Sequence, residues 1–190
     1  MTSTKKKKEF NTKTLTLMAF GIALNIIGAF IALTFRLPIY MDSIGTIMVA
    51  ILLGPKYAVM TGVCGSLISG TFDVYSLYYA PVQISTGLIA GIVAERGLLK
   101  GMKTPLGVLL FAIPTSIVSA IITVVLFDGI TSSGSSYILQ FLSGIGMNKV
   151  MAAFLVQIVT DYADKFTAVA LVSLGLNAMP KKFVASFSKR

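Results

Sequence analysis

The sixteen Lys and Arg residues of this chain stand between its apolar runs, not along the face of any one of them. If the chain crosses a bilayer six times, thirteen of the sixteen fall on one side, leaving only Arg36, Lys149 and Lys165 on the other. Cytoplasmic loops carry that excess of Lys and Arg. The residues are 55% apolar and 12% charged, with a mean hydropathy of +0.86. Soluble domains are about a quarter charged, and so apolar a chain would expose too much apolar surface to stay in water. The fold expected is an all-α integral membrane protein with six transmembrane helices and both termini cytoplasmic.

The net charge of +9 raises the question of nucleic acid. The basic blocks are Lys5, Lys6, Lys7 and Lys8, then Arg96, Lys100 and Lys103, then Lys181, Lys182, Lys189 and Arg190. Each flanks a hydrophobic segment, so they read as topology signals and no nucleic-acid partner is expected. A lone Cys64 excludes an internal disulfide, and the absence of histidine excludes a His-ligated metal. No metal site and no cofactor are expected. No G-x-x-x-x-G-K-[ST] loop occurs, so ATP hydrolysis would have to come from another chain. The N-terminal lysines followed by an apolar run imitate a signal peptide. That run is too long for one, and it reads as a retained first helix.

Spans are expected at 15–36, 42–54, 56–72, 81–95, 104–127 and 161–179, within a single membrane domain covering 1–190, with an outer region at 128–160. The first apolar stretch, about 31 Å long as a helix, suffices to cross. Gly54-Pro55-Lys56 divides the second span from the third, since one continuous helix would put Lys56 near mid-bilayer. Pro55 suits a first helical turn, and Pro114 is a candidate kink. A short helix is expected near Lys149 to Thr160 in the outer region, with the final span starting at Asp161. Five of the seven acids (Asp42, Asp73, Asp128, Asp161 and Asp164) then lie outside.

The chemistry-bearing residues gather at that outer side. Arg36, Tyr40 and Asp42 are in the first outer loop. Asp73, Tyr75, Tyr78 and Tyr79 occupy the second, with Gln83 just beyond it. Asn148, Lys149, Gln157, Asp161, Asp164 and Lys165 belong to the third region. Tyrosines enrich at membrane interfaces as a belt, but three of them beside an acid and a glutamine suit a pocket that stacks a ring and bonds its substituents. Asp161, Asp164 and Lys165 share a helical face, where Asp161 to Lys165 is a favourable pair and the acids also suit a first turn. Arg36 and Lys149 are candidates for holding an anion. Asn25, alone in the first span, suits an interhelical hydrogen bond. Ala19 and Ala23, with Gly21 and Gly28 nearby, leave a small-residue patch on the first helix, suited to close helix packing.

Ala19-Phe20-Gly21-Ile22-Ala23, Met41-Asp42-Ser43-Ile44-Gly45-Thr46 continuing to Leu53-Gly54-Pro55, and Thr160-Asp161-Tyr162-Ala163-Asp164-Lys165 together resemble one family. It is the substrate-binding S components of energy-coupling factor (ECF) vitamin transporters, a class of ABC transporter, and the resemblance runs over nearly the whole chain. It implies a non-catalytic, multi-pass subunit of a bacterial plasma membrane that captures a water-soluble vitamin from outside. It also implies docking through the alanines matching Ala19 and Ala23 onto a transmembrane coupling subunit, which two cytoplasmic ATPase subunits drive. Membrane lipid is the remaining partner. The substrate-binding set expected is Arg36, Tyr40, Asp73, Tyr75, Tyr78, Tyr79, Gln83, Asn148, Lys149, Asp161 and Lys165. Pantothenate is slightly favoured as cargo because Arg36 and Lys149 suit a carboxylate. A B6 vitamer comes next, for the tyrosines, and the acids suit a cationic amine. The competing reading is an autonomous small secondary transporter or a membrane enzyme working through Asp161, Asp164 and Lys165.

Overall fold

The computed structural model describes residues 11–187, except for the side chain of Phe183, and its described secondary structure is helical. Lys5 to Lys8, Lys189 and Arg190 lie outside the described residues. The helices are α1 (Thr12–Thr34), α2 (Ile44–Leu53), α3 (Pro55–Ser69), α4 (Tyr75–Tyr78), α5 (Ala80–Glu95), α6 (Thr104–Phe127), α7 (Ser135–Gly144), α8 (Lys149–Ala178) and α9 (Lys181–Phe187), with a 3-10 turn at Gly101–Lys103 ahead of α6.

Two of these elements, Thr12–Thr34 and Gly101–Phe127, are long and apolar enough to cross a membrane, with mean hydropathies of 2.2 and 2.5. Ile44–Leu53 and Ala80–Glu95 are shorter apolar helices. The bundle surface is apolar, and one end of its interior is polar. On α6, Leu106, Leu110, Ile113, Ile117, Ile121 and Val125 face outward, while Thr115, Ser116, Ser119 and Thr123 are buried. Water-soluble proteins sort side chains the other way, so this surface is made for lipid.

α2 is the central element. It packs against α1, α3, α5 and α8, and Ile47, Val49 and Ala50 have no exposed surface. A helix apolar on every side belongs in such a place. Gly54, at φ 93°, separates α2 from α3, and Pro55 opens α3 in its first turn. Glycines set the helix spacing. A Cβ on Gly45 would lie 1.8 Å from the Gly21 carbonyl oxygen of α1, and one on Gly91 of α5 would lie 2.5 Å from Pro55 Cα. Small residues at crossings let helix backbones approach this closely in lipid. Asn25 of α1 seals the same crossing, its Oδ1 accepting from Gly45 N (2.7 Å) and Thr46 N (3.2 Å) and its Nδ2 donating to Thr46 Oγ1 (2.8 Å).

The main apolar core runs through Leu17, Met18, Tyr57, Val93, Val108, Phe111 and Val172. It fills the end of the bundle where Lys56, Arg96, Lys100, Lys103, Lys181 and Lys182 punctuate the helix ends. The polar interior lies at the opposite end.

The third outer region differs from expectation. Residues 128–160 hold α7 and the first two fifths of α8, and α8 runs unbroken for 30 residues where a short helix and a separate final span were expected. Asn148 starts it by capping the N–H groups of Val150 and Met151, and α7 packs along it, burying Leu139 against Ala152, Ala153 and Val156. α7 thus covers one face of this part of the helix, while Val150, Met151, Leu155 and Val159 stay exposed. α6 likewise continues through Pro114 to Phe127.

Candidate substrate-binding site

The loop between α1 and α2 turns back sharply at its ends. Arg36 and Met41 take left-handed conformations, at φ 49° and 53°, which cost free energy in residues with a Cβ. Met41 is held there from both sides. Its carbonyl lies against Gly28, where a Cβ would be 2.0 Å away, and its N–H donates to Asp164 Oδ1 of α8 at 2.7 Å. The loop thereby lays Tyr40 and Asp42 across the outer end of the bundle.

There they meet three other elements. The connection leading into α4 brings Asp73 and Tyr75, α5 begins after Tyr79, and α8 contributes Asp161 and Lys165. Together with Val82, Ser119, Thr131 and Ser132 these residues line a narrow cleft with about 30 Å³ of free interior space. Asp73 ties two loops together, its Oδ2 accepting from Ser132 Oγ (2.8 Å) and its Oδ1 from Tyr75 N (3.3 Å). Tyr40 and Tyr79 stand 5.9 Å apart between ring centroids, and Tyr79 stacks on Phe127 at 6.2 Å. Thr123 Oγ1 donates to Ser119 O (2.9 Å), so it accepts from Tyr79 Oη (2.6 Å) and from Gln157 Nε2 (2.9 Å). That fixes one aromatic wall. Burial pushes the Tyr40 phenol above its ordinary value, and the nearby Asp161 charge adds to the effect. Tyr40 therefore keeps its proton. Its hydroxyl lies beside Ser133, Ser135 and Thr131 yet makes no well-aligned hydrogen bond.

At the bottom, Asp161, Asp164 and Lys165 are each 1% exposed. Lys165 Nζ donates to Asp164 Oδ2 at 2.7 Å. The pair expected from spacing was Asp161 with Lys165. Asp164 takes the ammonium instead, because the Met41 N–H anchors its carboxylate beside the loop. Asp161 Oδ2 is left buried without a hydrogen-bond partner. Ser116 lies beside Asp161, but its hydroxyl is committed to the Ala112 and Gln157 carbonyls.

Of the residues singled out from sequence, Tyr40, Asp73, Tyr75, Tyr79, Asp161 and Lys165 converge on this cleft. Gln83 stands behind it as a bridge, its Oε1 accepting from Thr46 Oγ1 (3.0 Å) and its Nε2 donating to the Asp42 carbonyl (3.2 Å). The others lie elsewhere. Tyr78 packs edge-on to Phe127 from the outside. Arg36 donates to Tyr137 and lines a separate groove with Leu33 and Gln140, sharing only Thr131 and Ser132 with the cleft wall. Asn148 is a helix cap. Lys149 pairs with Asp128 at 2.7 Å, both side chains well exposed. Asp42 and Ser119 belong to the lining but were not among the substrate-binding residues expected. Ser119 sits in a stripe with Thr115 and Thr123, four residues apart along α6, which is a readable signal in so apolar a helix.

The face of α1 away from the bundle carries Ala19 and Ala23, both exposed beside Phe20 and Ile27, while Gly21 and Gly28 face inward onto Gly45 and Met41. The alanines thus stand on an outer surface, apart from the glycine crossing.

No curated protein and no solved structure matches the chain. The sequence model of the family described as "ECF-type riboflavin transporter, S component" matches residues 9–174, which take in every residue lining the cleft. The chain therefore belongs to the ECF-type riboflavin transporter S component family, membrane proteins that bind the substrate in vitamin uptake.

Proposed function

We propose that the chain is a six-span S component whose termini face the cytoplasm of a bacterial cell and whose cleft captures a vitamin from outside. One observation carries the reading. A buried Asp161/Asp164/Lys165 cluster opens into a tyrosine-walled cleft at the bundle end opposite the basic helix ends. Intramembrane ionisable residues are costly and mark substrate pathways. The cluster falls about 18 Å along α8, leaving about 26 Å of helix beyond it, enough for most of the hydrocarbon core.

Transport requires more than the cleft. Ala19 and Ala23 offer a flat, apolar strip on which a transmembrane coupling subunit fits closely, and the power stroke belongs to two cytoplasmic ATPases. The chain has no phosphate-binding loop and acts as no enzyme in this scheme. An S component is inert in liposomes without those partners, whereas an autonomous carrier moves its cargo alone.

The cargo is a vitamin-sized ring compound. Riboflavin, named in the family description, is the reference ligand. Pantothenate loses its main support, because Arg36 and Lys149 are engaged away from the cleft and Lys165 is already paired. Calorimetric titration of the detergent-purified chain against riboflavin, B6 vitamers, thiamine and pantothenate tests the reading. Submicromolar binding of one compound, lost on Tyr79→Ala, is expected. Silence across the panel would overturn it.

A further inference from the structure

The cleft holds more acidic groups than cations to match them. Asp42, Asp73 and Asp161 line it, and Asp164 stands directly behind Lys165. The single ammonium among them is already bonded to Asp164. Asp42 and Asp161 are within electrostatic reach of that pair and of each other, yet neither has a cation of its own among the described residues. Asp73 is bonded by a hydroxyl and a backbone N–H, both neutral. Arg36 and Lys149, the other cations of this end, are turned to Tyr137 and Asp128.

Asp161 makes this excess informative. Its carboxylate is 1% exposed, lines the cleft and leaves Oδ2 with no donor. A buried carboxylate oxygen without a donor or counter-charge is strongly unfavourable. A ligand that brings both at once removes the penalty, because a charged N–H donor forms the stronger class of hydrogen bond. A bare metal ion fits poorly, since no three ligating side chains converge on a point among the described residues. The walls argue for an organic cation. Tyr40, Tyr75 and Tyr79 present aromatic surface to the same space, and ring faces attract cations electrostatically.

We propose that the cargo of this cleft is a positively charged heteroaromatic compound, with a ring cation or a protonated amine, seated between the tyrosines and the carboxylates of Asp161, Asp42 and Asp73. The inference rests on the reading of the cleft as the vitamin site. It departs from a neutral flavin and from an anionic pantothenate alike.

The test compares matched ligands on the full-length chain purified in detergent. Pyridoxamine and pyridoxine share one ring and differ in an ammonium against a hydroxyl. Thiamine supplies a permanent ring cation, riboflavin a neutral ring and pantothenate an anion. The expected result is submicromolar binding of thiamine or pyridoxamine, at least about 30-fold tighter than any neutral or anionic member. Asp161→Asn should weaken that binding by tenfold or more without changing the affinity rank of the neutral compounds. Asp73→Asn, at the half-buried rim, gives the same reading at smaller amplitude if Asp161→Asn does not fold. Tight binding of riboflavin or pantothenate, or equal binding of pyridoxine and pyridoxamine, overturns the charge inference and leaves the S-component site standing. Affinity for the cation unchanged in both variants overturns it too. Failure of all five ligands sinks the site and the inference together.

Discussion

Gly28→Ala tests the joint on which the cleft depends. Gly28 is the point where α1 meets the Met41 loop, and a Cβ built there falls 2.0 Å from the Met41 carbonyl oxygen. Ordinary contact begins near 3.4 Å, so one side must give way by about 1.4 Å. Met41 has no free direction in which to move. Its carbonyl abuts α1, its N–H is bonded to Asp164 at 2.7 Å, and its φ of 53° is already unfavourable. Overpacking of this kind costs about 1–3 kcal/mol, and disturbing a buried bond to a charged acceptor adds about 1–3 kcal/mol. A loss of about 3 kcal/mol corresponds to a melting point lower by about 6–12 °C for a chain of this size. Gly175→Ala is the control. It lies in α8 with no heavy atom within 4 Å of the added carbon, so relief of helix-interior glycine should stabilise by about 0.5–1 kcal/mol. The assay is thermal unfolding of both variants in detergent, with calorimetric affinity for the cargo measured alongside. Gly28→Ala should melt early and bind at least tenfold more weakly, and Gly175→Ala should match or exceed the parent in both. A Gly28→Ala protein that melts within 2 °C of the parent and binds as tightly would falsify the clamp.

Three further outcomes follow from the same geometry. Ala19→Arg or Ala23→Arg, on the exposed face of α1, should abolish uptake in cells supplying the coupling subunit and ATPases, yet leave the purified chain's affinity unchanged; lost binding in the purified variant sinks the docking assignment. Lys165→Met strands Asp164 as an unpaired buried charge at a cost of about 3–5 kcal/mol. Size-exclusion profiles should show aggregation, with Lys165→Met/Asp164→Asn largely monodisperse because Asn still accepts from Met41; a well-behaved single variant would mean the pair is not buried. Lys149→Ala removes an exposed ion pair with Asp128, so stability should change by less than about 1 kcal/mol with cargo affinity intact; a tenfold loss of affinity would return Lys149 to the site.

Which features were readable depended on whether their cause was local. Gly54-Pro55 divides α2 from α3 because a positive-φ glycine and a proline without an N–H act on their own backbone. Tyr75 and Tyr79 stand with Asp73 because a spacing of four residues, about one helical turn, puts them on one side of the segment, while Tyr78 falls on the other. The continuity of α8 was hidden for the opposite reason. Lys149, Asp161, Asp164 and Lys165 break its hydropathy, and α7, which packs along it, comes from another stretch of chain. Arg36 and Lys149 were attractive anion ligands while their partners were unknown. Tyr137 is 101 residues from Arg36, and Asp128 is 21 from Lys149. The hydroxyl stripe of α6 is legible as a period-four pattern. Thr115 and Thr123 also bond the carbonyl four residues back, as such residues do in any apolar helix, so the pattern alone does not mark a site.

Asp161, Asp164 and Lys165 show where spacing stops and structure begins. Positions i, i+3 and i+4 put all three on one helical face, and that much is periodicity. Spacing favours Asp161 as the partner of Lys165, which would leave Asp164 spare. The contact that reverses this comes from Met41, held in a left-handed turn by Gly28 on a different helix. Once Asp164 accepts the Met41 N–H, it is the fixed charge to which Lys165 turns, and Asp161 is left as the acid without a partner. The same glycine that lets α1 approach the loop therefore determines which carboxylate faces the cleft. A substitution at Gly28 should accordingly change selectivity between charged and neutral ligands as well as affinity, a readout that a merely destabilised bundle would not produce.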